Sequence, residues 1–376
     1  MLLRRVVGGV CSSHGAPLRT SRRRKETDVP DHAEQLARVL TPVAPPRILE
    51  DVYTEDQYER MLRVIQRGGP WPSIIAEHFQ SVEEVIATTT GVVPEDHGLT
   101  LDDIATAQFR GFFAKNSVCF HPELEDVFYN SRFLEEVRSY WGVPYAKPTM
   151  MLFNICGPHE SIPVPHLDAV TFRGVRIENT PVWLQNVMAK SGLFTDYIVK
   201  MAQVITWWYR GECGTFTYWP DGPLAEPKTL PTPMWNRGVV VQNEMMFHRG
   251  DPVGRPEERA IEGLRHHSRF EYRPDADDWA ITTDGEVVRT YRPEEIRLLV
   301  HWNAEVYADM DEVRKVMDHT DDLTHDRVID TLLADLRSKG VDVAEPSDPL
   351  HDIEFIQALM RTYTIAPTID WIDDAA

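Results

Sequence analysis

The chain has 376 residues, 42% of them apolar, and a formal net charge of −20. This length is enough for one large domain or two medium ones with a buried core. The negative charge argues against general affinity for nucleic acid or an anionic membrane, and no apolar run approaches the roughly 20 residues that a membrane-spanning helix needs. The four cysteines form no CxxC pair, which favours reduced thiols inside a cell.

The first 25 residues differ in composition from the rest of the chain. They carry the basic residues Arg4, Arg5, Arg19, Arg22, Arg23, Arg24 and Lys25, and no acid before Glu26. This pattern is typical of an organelle transit peptide, but a disordered bacterial tail or a start codon placed too far upstream also produces it. We therefore treat residues 1–46 as a basic tail, disordered or targeting, and expect one domain over residues 47–376. The expected location is the cytoplasm, or an organelle if the tail is a targeting segment.

Two helices are predicted before residue 148. Thr54 is a plausible N-cap, and Gln57 stands at the capping-box position three residues later. Residues 131–141 predict a second helix, which Gly142 ends. The stretch between residues 66 and 105 is polar and predicted to be irregular.

From residue 148 the pattern becomes strand-like. Strands are predicted over residues 149–155, 181–187, 204–209, 215–219, 238–242, 280–282, 287–289 and 296–302. Gly211 and Gly214 predict a hairpin between the third and fourth of these, and Asp284 with Gly285 predicts another. Short strands with turn signals imply an antiparallel barrel or sandwich. Helical periodicity returns after residue 306.

The sharpest chemical signal is His166-Leu167-Asp168, followed much later by His248. Side chains alternate along a strand, so His166 and Asp168 would lie on the same face. His248 follows an apolar strand, and closure of a small barrel can bring it close. Each residue alone is more often an ordinary polar side chain. Together, two imidazoles and a carboxylate can bind one face of a six-coordinate metal, which is the ligand set of non-heme iron(II) oxygenases.

With these residues, the sequence resembles the iron(II)/2-oxoglutarate-dependent oxygenases, in particular the phytanoyl-CoA-hydroxylase-like branch. The resemblance covers roughly residues 47–305 and includes residues 142–168, residues 214–223 and the run to His248. It implies a mainly β fold with flanking helices: a double-stranded β-helix, or jelly-roll (cupin-like) barrel, over about residues 148–305. N-terminal helices precede the barrel, and a helical extension follows over about residues 306–376.

The resemblance also implies the chemistry. Fe(II) would be bound by His166, Asp168 and His248, with 2-oxoglutarate as cosubstrate and O2 as oxidant. A small organic molecule would be hydroxylated while 2-oxoglutarate is converted to succinate. Halogenating family members have a small residue in place of the carboxylate, so Asp168 favours hydroxylation, or a related desaturation or ring closure.

Family members bind the distal carboxylate of 2-oxoglutarate with a basic residue, often arginine, on the last core strand. Arg297 is the first candidate for this role and Arg265 the second. Asn154 and Gln185, on predicted flanking strands, could hydrogen-bond the keto-acid end. His266 and His267 are assigned no role.

Two other functions remain open. A cupin-like barrel could hold a different divalent metal for non-redox chemistry, although such sites commonly have three histidines with the carboxylate. A barrel could also serve only for binding, with an accidental triad. The expected partner is a small-molecule substrate, with no nucleic acid and no membrane.

Overall fold

The computed structural model describes residues 32–89, 97–160, 164–230 and 232–367. Most of the basic tail, residues 1–31, lies outside these ranges. The helices are α1 (His32–Val39), α2 (Glu55–Gly68), α3 (Ile74–His78), α4 (Val82–Thr88), α5 (Glu125–Phe128), α6 (Ser131–Trp141), α7 (Val182–Ser191), α8 (Met310–Met317), α9 (His325–Ser338) and α10 (Ile353–Thr362). The strands are β1 (Arg47–Leu49), β2 (Trp71–Pro72), β3 (Phe109–Lys115), β4 (Val118–Cys119), β5 (Tyr145–Cys156), β6 (Met201–Tyr209), β7 (Phe216–Tyr218), β8 (Lys228–Leu230), β9 (Met234–Val241), β10 (His248–Gly250), β11 (Arg269–Arg273), β12 (Asp278–Thr283), β13 (Glu286–Tyr291) and β14 (Arg297–Tyr307).

Local sequence signals explain where α2 and α6 begin and end. The Thr54 hydroxyl accepts a hydrogen bond from the N–H of Gln57, and the Gln57 side chain accepts one from the N–H of Thr54. This is the predicted capping box. Helix α6 ends at Gly142, whose φ of 67° lies in the left-handed region that favours glycine. Both predicted helices are confirmed.

The strands form three antiparallel sheets. The large sheet has the order β1–β9–β6–β14–β5–β3–β4, the small sheet β10–β7–β8, and the third sheet β13–β12–β11–β2. The backbone at His166 pairs with His248 of β10, so the segment around His166 lies beside the small sheet. The coarse prediction of a mainly antiparallel β fold with flanking helices is confirmed.

Apolar clusters cover both faces of the large sheet. On the outer face, the sheet packs against α2 and α6. On the inner face, Ile205 and Trp207 of β6 pack against Phe216 and Tyr218 of β7, which joins the large and small sheets. Helices α4, α7, α9 and α10 share a separate core. None of the described helices combines the length and apolar composition needed to cross a membrane.

The inner face of β14 is unusually polar. Alternate residues of a strand point to opposite faces, and Val300 and Trp302 belong to the outer core. The buried polar residues Arg297, His301 and Asn303 therefore face inward, towards the small sheet. This polar row provides one wall of the site described below.

Two predictions of local structure are wrong. The segment 181–187 is not a strand, because it forms most of α7. Every residue from Trp183 to Ser191 is buried, so no face of the helix is exposed to solvent. The sequence therefore lacks the alternation of apolar and polar residues with a 3.6-residue period that marks an amphipathic helix. The stretch between residues 66 and 105 is not irregular throughout, since it contains β2, α3 and α4.

One of the two predicted hairpins is also wrong. Strand β6 pairs with β9 and β14, whereas β7 pairs with β8 and β10, so the loop around Gly211 crosses from one sheet to the other. The second hairpin is confirmed: β12 pairs with β13, and Asp284 and Gly285 both have positive φ at the turn.

Candidate metal centre

Two backbone hydrogen bonds hold His166 and His248 side by side. The N–H of each residue donates to the carbonyl of the other at 3.0 Å, and the two ring centroids are 4.5 Å apart. Two residues later, the N–H of Asp168 donates to the carbonyl of Asn243 at 3.3 Å. Strand pairing thus brings the three predicted ligands together, although they are far apart in the sequence.

The three side chains offer a compact set of ligand atoms. One nitrogen of each histidine and one oxygen of Asp168 all lie within 4.8 Å of one another. Nδ1 of His166 contacts the Val164 carbonyl at 3.2 Å, and Nδ1 of His248 contacts the Met246 carbonyl at 3.0 Å. A carbonyl oxygen can only accept, so each Nδ1 carries the proton and each Nε2 keeps its lone pair for a metal.

Burial and neighbouring charges shift the pKa values of these groups. Burial lowers the pKa of His166 to about 4, and the nearby His248 also lowers it. Burial alone would raise the pKa of Asp168, but the three histidines His248, His301 and His166 hold it well below its usual range. Burial opposes protonation of His248, but the Asp168 carboxylate outweighs it and raises the pKa of His248. Asp168 is therefore ionised at pH 7, as metal binding requires.

The residues fit a divalent first-row metal ion. Oδ1 of Asp168 lies 3.6 Å from Nε2 of His248, a separation at which both atoms can bind one ion. Nε2 of His248 accepts a long hydrogen bond from Nδ2 of Asn243, at 3.3 Å, and a metal would take the same lone pair. Two imidazoles and one carboxylate leave about three coordination positions open, as in non-heme iron(II) sites.

Sequence reasoning missed three residues beside these ligands. Nε2 of His301, on β14, lies 3.8 Å from Oδ2 of Asp168. Asn243 contacts both Asp168 and His248, as described above. Arg110 of β3 lies close enough to Asp168 for the carboxylate to favour the charged form of the guanidinium. The polar alternation along β14 was a usable signal for His301. The sequence offered no such signal for Arg110, which stands in an aromatic segment between Phe109 and Gly111-Phe112.

Arg297 lies where a cosubstrate carboxylate could bind. It is 7% exposed, and β14 is a central strand, so Arg297 is not an edge residue. Its Nε donates to the carbonyl of Gly214 at 3.2 Å. The nearby Asp251 is paired with Arg249 at 2.8 Å, and no described carboxylate forms an ion pair with Arg297. A buried guanidinium in this environment suits a planar carboxylate from a ligand.

Arg265 lies elsewhere. Its side chain is 49% exposed, and Nε is 3.8 Å from Oδ2 of Asp102. Asp102 also pairs with His266 at 2.6 Å, and with His267 these residues form a second group of potential ligand atoms near the surface. The structure therefore places Arg265 outside the His166 site, because the loop before β11 carries it away from β14.

The two predicted amide residues have different surroundings. Asn154 of β5 faces inward, where its Oδ1 accepts a hydrogen bond from Nε of Arg110 at 2.9 Å. Gln185 lies on α7 rather than on a strand, and its Nε2 donates to the Thr180 carbonyl at 3.0 Å. The next residue, Asn186, reaches the site instead: its Nδ2 donates to the carbonyl of Leu167, between two of the ligands, at 3.2 Å.

No family model and no curated protein matches this chain. Solved structures resemble it at low identity. An oxidoreductase of the 2OG-Fe(II) oxygenase family from Burkholderia pseudomallei is 11% identical over 76% of this chain and 94% of its own, with a TM-score of 0.36. A Pseudomonas putida prolyl-4-hydroxylase is 9% identical over 74% and 100%, with a TM-score of 0.32. HygX from Streptomyces hygroscopicus, with nickel, 2-oxoglutarate and hygromycin B bound, is 10% identical over 70% and 83%, with a TM-score of 0.33. The solved structures that the chain resembles thus include 2OG-Fe(II) oxygenases, while the geometry around His166 carries the function proposed below.

Proposed function

We propose that this protein is a non-heme Fe(II)- and 2-oxoglutarate-dependent dioxygenase that hydroxylates a small organic molecule. One observation carries the proposal: ligand atoms of His166, Asp168 and His248 lie within 4.8 Å of one another. Both imidazoles are fixed with Nε2 available, and the carboxylate is ionised. This arrangement binds one face of an octahedral metal and leaves the opposite face for cosubstrate and O2.

We further propose that the large and small sheets form the double-stranded β-helix of such enzymes. The eight relevant segments in chain order are β5, the His166 segment, β6, β7, β8, β9, β10 and β14. Numbered this way, the large sheet has the order six–three–eight–one and the small sheet two–seven–four–five. This alternation between two sheets is the pattern of a jelly roll, and the shared apolar core between the sheets supports it.

The protein's own residues would position the reactants. When bound, Fe(II) with 2-oxoglutarate supplies the oxidising power: O2 provides one oxygen to the substrate C–H and one to succinate, and CO2 is released. Arg297 would bind the distal carboxylate of 2-oxoglutarate, deep on the inner face of β14. Asn154 lies on the neighbouring strand and orients Arg110 through a hydrogen bond at 2.9 Å. The buried inner faces of both sheets would exclude water from the reaction.

The direct test is anaerobic titration of the protein with Fe(II) and 2-oxoglutarate. We expect a weak charge-transfer band in the visible that requires both components, together with succinate formation once O2 is admitted. His248→Ala should lose the band because it removes a ligand. His351→Ala is the matched control, since that histidine is 49% exposed and pairs with Asp348 instead. Folded, iron-loaded wild-type protein that gives no band would contradict the proposal.

A divalent-metal enzyme with non-redox chemistry is the second candidate, and His301 is the observation that favours it. Cupin-like sites often have three histidines with a carboxylate, and Nε2 of His301 is 3.8 Å from Asp168. Metal analysis of protein purified without chelator separates the two functions. Iron would favour the oxygenase, whereas another metal without 2-oxoglutarate turnover would favour this candidate.

A further inference from the structure

The two oxygens of Asp168 face different histidines. Oδ1 lies 3.6 Å from Nε2 of His248, and Oδ2 lies 3.8 Å from Nε2 of His301. Oδ2 and Nε2 of His301 are both buried, and neither has a hydrogen-bond partner. Unpaired buried polar atoms are costly, so two that face each other at this separation indicate a contact that can close.

We propose that His301 is a positioning residue for the metal ligand Asp168. Its Nε2–H donates to Oδ2, which fixes the plane of the carboxylate and leaves Oδ1 as the oxygen that binds the metal. The contact closes from 3.8 Å to roughly 2.8 Å, an ordinary hydrogen-bond length. Metal-binding carboxylates commonly receive such a bond, which sets ligand geometry and affinity. This role rests on the proposed metal site and adds a residue that the ligand motif does not contain.

Asn303 provides the tautomer that this contact needs. It follows His301 on the inner face of β14, close enough to interact with the His301 ring. Since Nε2 of His301 faces Asp168, Nδ1 is the ring atom left for Asn303. With its amide nitrogen turned to the ring, Asn303 donates to Nδ1 and the ring proton lies on Nε2. This orientation also gives a partner to Nδ2 of Asn303, which is otherwise buried and unpaired.

His301 is placed as a neighbour of the metal site and not as a fourth ligand. It is not part of the group whose ligand atoms all lie within 4.8 Å of one another. His301 instead faces Oδ2 of Asp168, whereas His248 faces Oδ1.

The test is Co(II) binding to purified protein, followed by competition with a chromophoric chelator and by the visible Co(II) spectrum. His301→Phe keeps a ring but removes the donor, and should raise the Co(II) dissociation constant roughly 10- to 100-fold with little change in spectral shape. His301→Gln restores an N–H donor and should recover most of the affinity. His351→Leu, at a surface histidine that pairs with Asp348, should bind as the wild type does.

The possible results separate this inference from the proposed function. If the wild type binds neither Co(II) nor Fe(II), the metal site itself is refuted. If the wild type binds metal and His301→Phe, shown to be folded by circular dichroism, binds equally well, only the role of His301 is overturned. A loss as large as that of His166→Ala, with a spectrum that reports one ligand fewer, would make His301 a fourth ligand and would also overturn it.

Discussion

At the scale of single residues, a buried charge without an ion-pair partner marks a group that can bind a ligand. Arg297 is the clearest example, since it is buried on the inner face of β14 and forms an ion pair with no described carboxylate. Burying a guanidinium or a carboxylate is unfavourable unless hydrogen bonds or opposite charge compensate for it. The fold therefore retains polar groups on the inner face of β14 where a purely structural protein would place apolar side chains.

Arg297→Gln should weaken 2-oxoglutarate binding while leaving the metal site intact. Charge-assisted hydrogen bonds to a carboxylate contribute about 1.5–3 kcal/mol, so the dissociation constant of 2-oxoglutarate for the Ni(II)-loaded protein should rise roughly 10- to 100-fold. Calorimetry or quenching of tryptophan fluorescence would measure it. Arg265→Gln is the control and should have no effect, because Arg265 lies near the surface beside Asp102. The reverse pattern would return the role to Arg265.

At the scale of elements, sequence signals were reliable where they are local. The capping box of Thr54 and the left-handed Gly142 each fix a helix end through contacts within a few residues. Helix α7 was mistaken for a strand because tertiary packing buries it on all sides, so its apolar pattern has no helical period. His301 was missed for a related reason: the role proposed for it depends on Asp168, which belongs to a segment far from β14 in the sequence and lies beside β14 in the fold.

Helix α7 contains a lysine that should make stability depend on pH. Lys190 is 2% exposed, and its Nζ donates to the carbonyls of Ala87 and Thr89 at the end of α4, at 2.8 Å and 2.7 Å. Burial lowers the pKa of Lys190 from 10.5 to about 7. Between these values the unfolded chain binds a proton that the folded chain does not, so the free energy of unfolding should rise as pH increases from about 7 to 10.

Lys190→Met should remove that rise. At about 1.4 kcal/mol per pKa unit, the effect in the wild type is of the order of a few kcal/mol. Denaturant unfolding at several pH values would measure it, and Lys339→Met, at a lysine whose side chain is 32% exposed, is the control. Parallel pH profiles for wild type and Lys190→Met would refute the assignment.

At the scale of the whole molecule, the third sheet explains why the arginine proposed to bind the cosubstrate was hard to locate from the sequence. Strands β11, β12 and β13 lie between His248 and Arg297 in the sequence and form this sheet, in which β11 also pairs with β2. A search of the sequence after His248 therefore meets Arg265, in the loop before β11, well before it reaches Arg297. The metal-ligand motif could be recognised because His166 and Asp168 lie within one short segment, whereas the choice of arginine depends on which strand lies at the centre of the large sheet.

Metal binding should stabilise the whole domain, because the ligand set is assembled only in the folded chain. At a free Co(II) concentration of 100 times the dissociation constant, the gain is about 2.7 kcal/mol. For a chain of this size this corresponds to a rise in Tm of roughly 3–4 °C. Differential scanning calorimetry with Co(II) and with a chelator would measure the shift. His166→Ala should show none, and an equal shift in that variant would place the stabilising ion elsewhere.

The reciprocal hydrogen bonds between His166 and His248, at 3.0 Å each, have a kinetic consequence. Since the backbone holds the two imidazoles in register, the ion is not needed to hold them together. Loss of the metal would then leave a native, reloadable apoprotein, and recovery after chelation would be limited by metal encounter and loss of bound water instead of refolding. When metal is added back in excess after chelation, recovery should follow a single exponential whose rate constant is proportional to metal concentration.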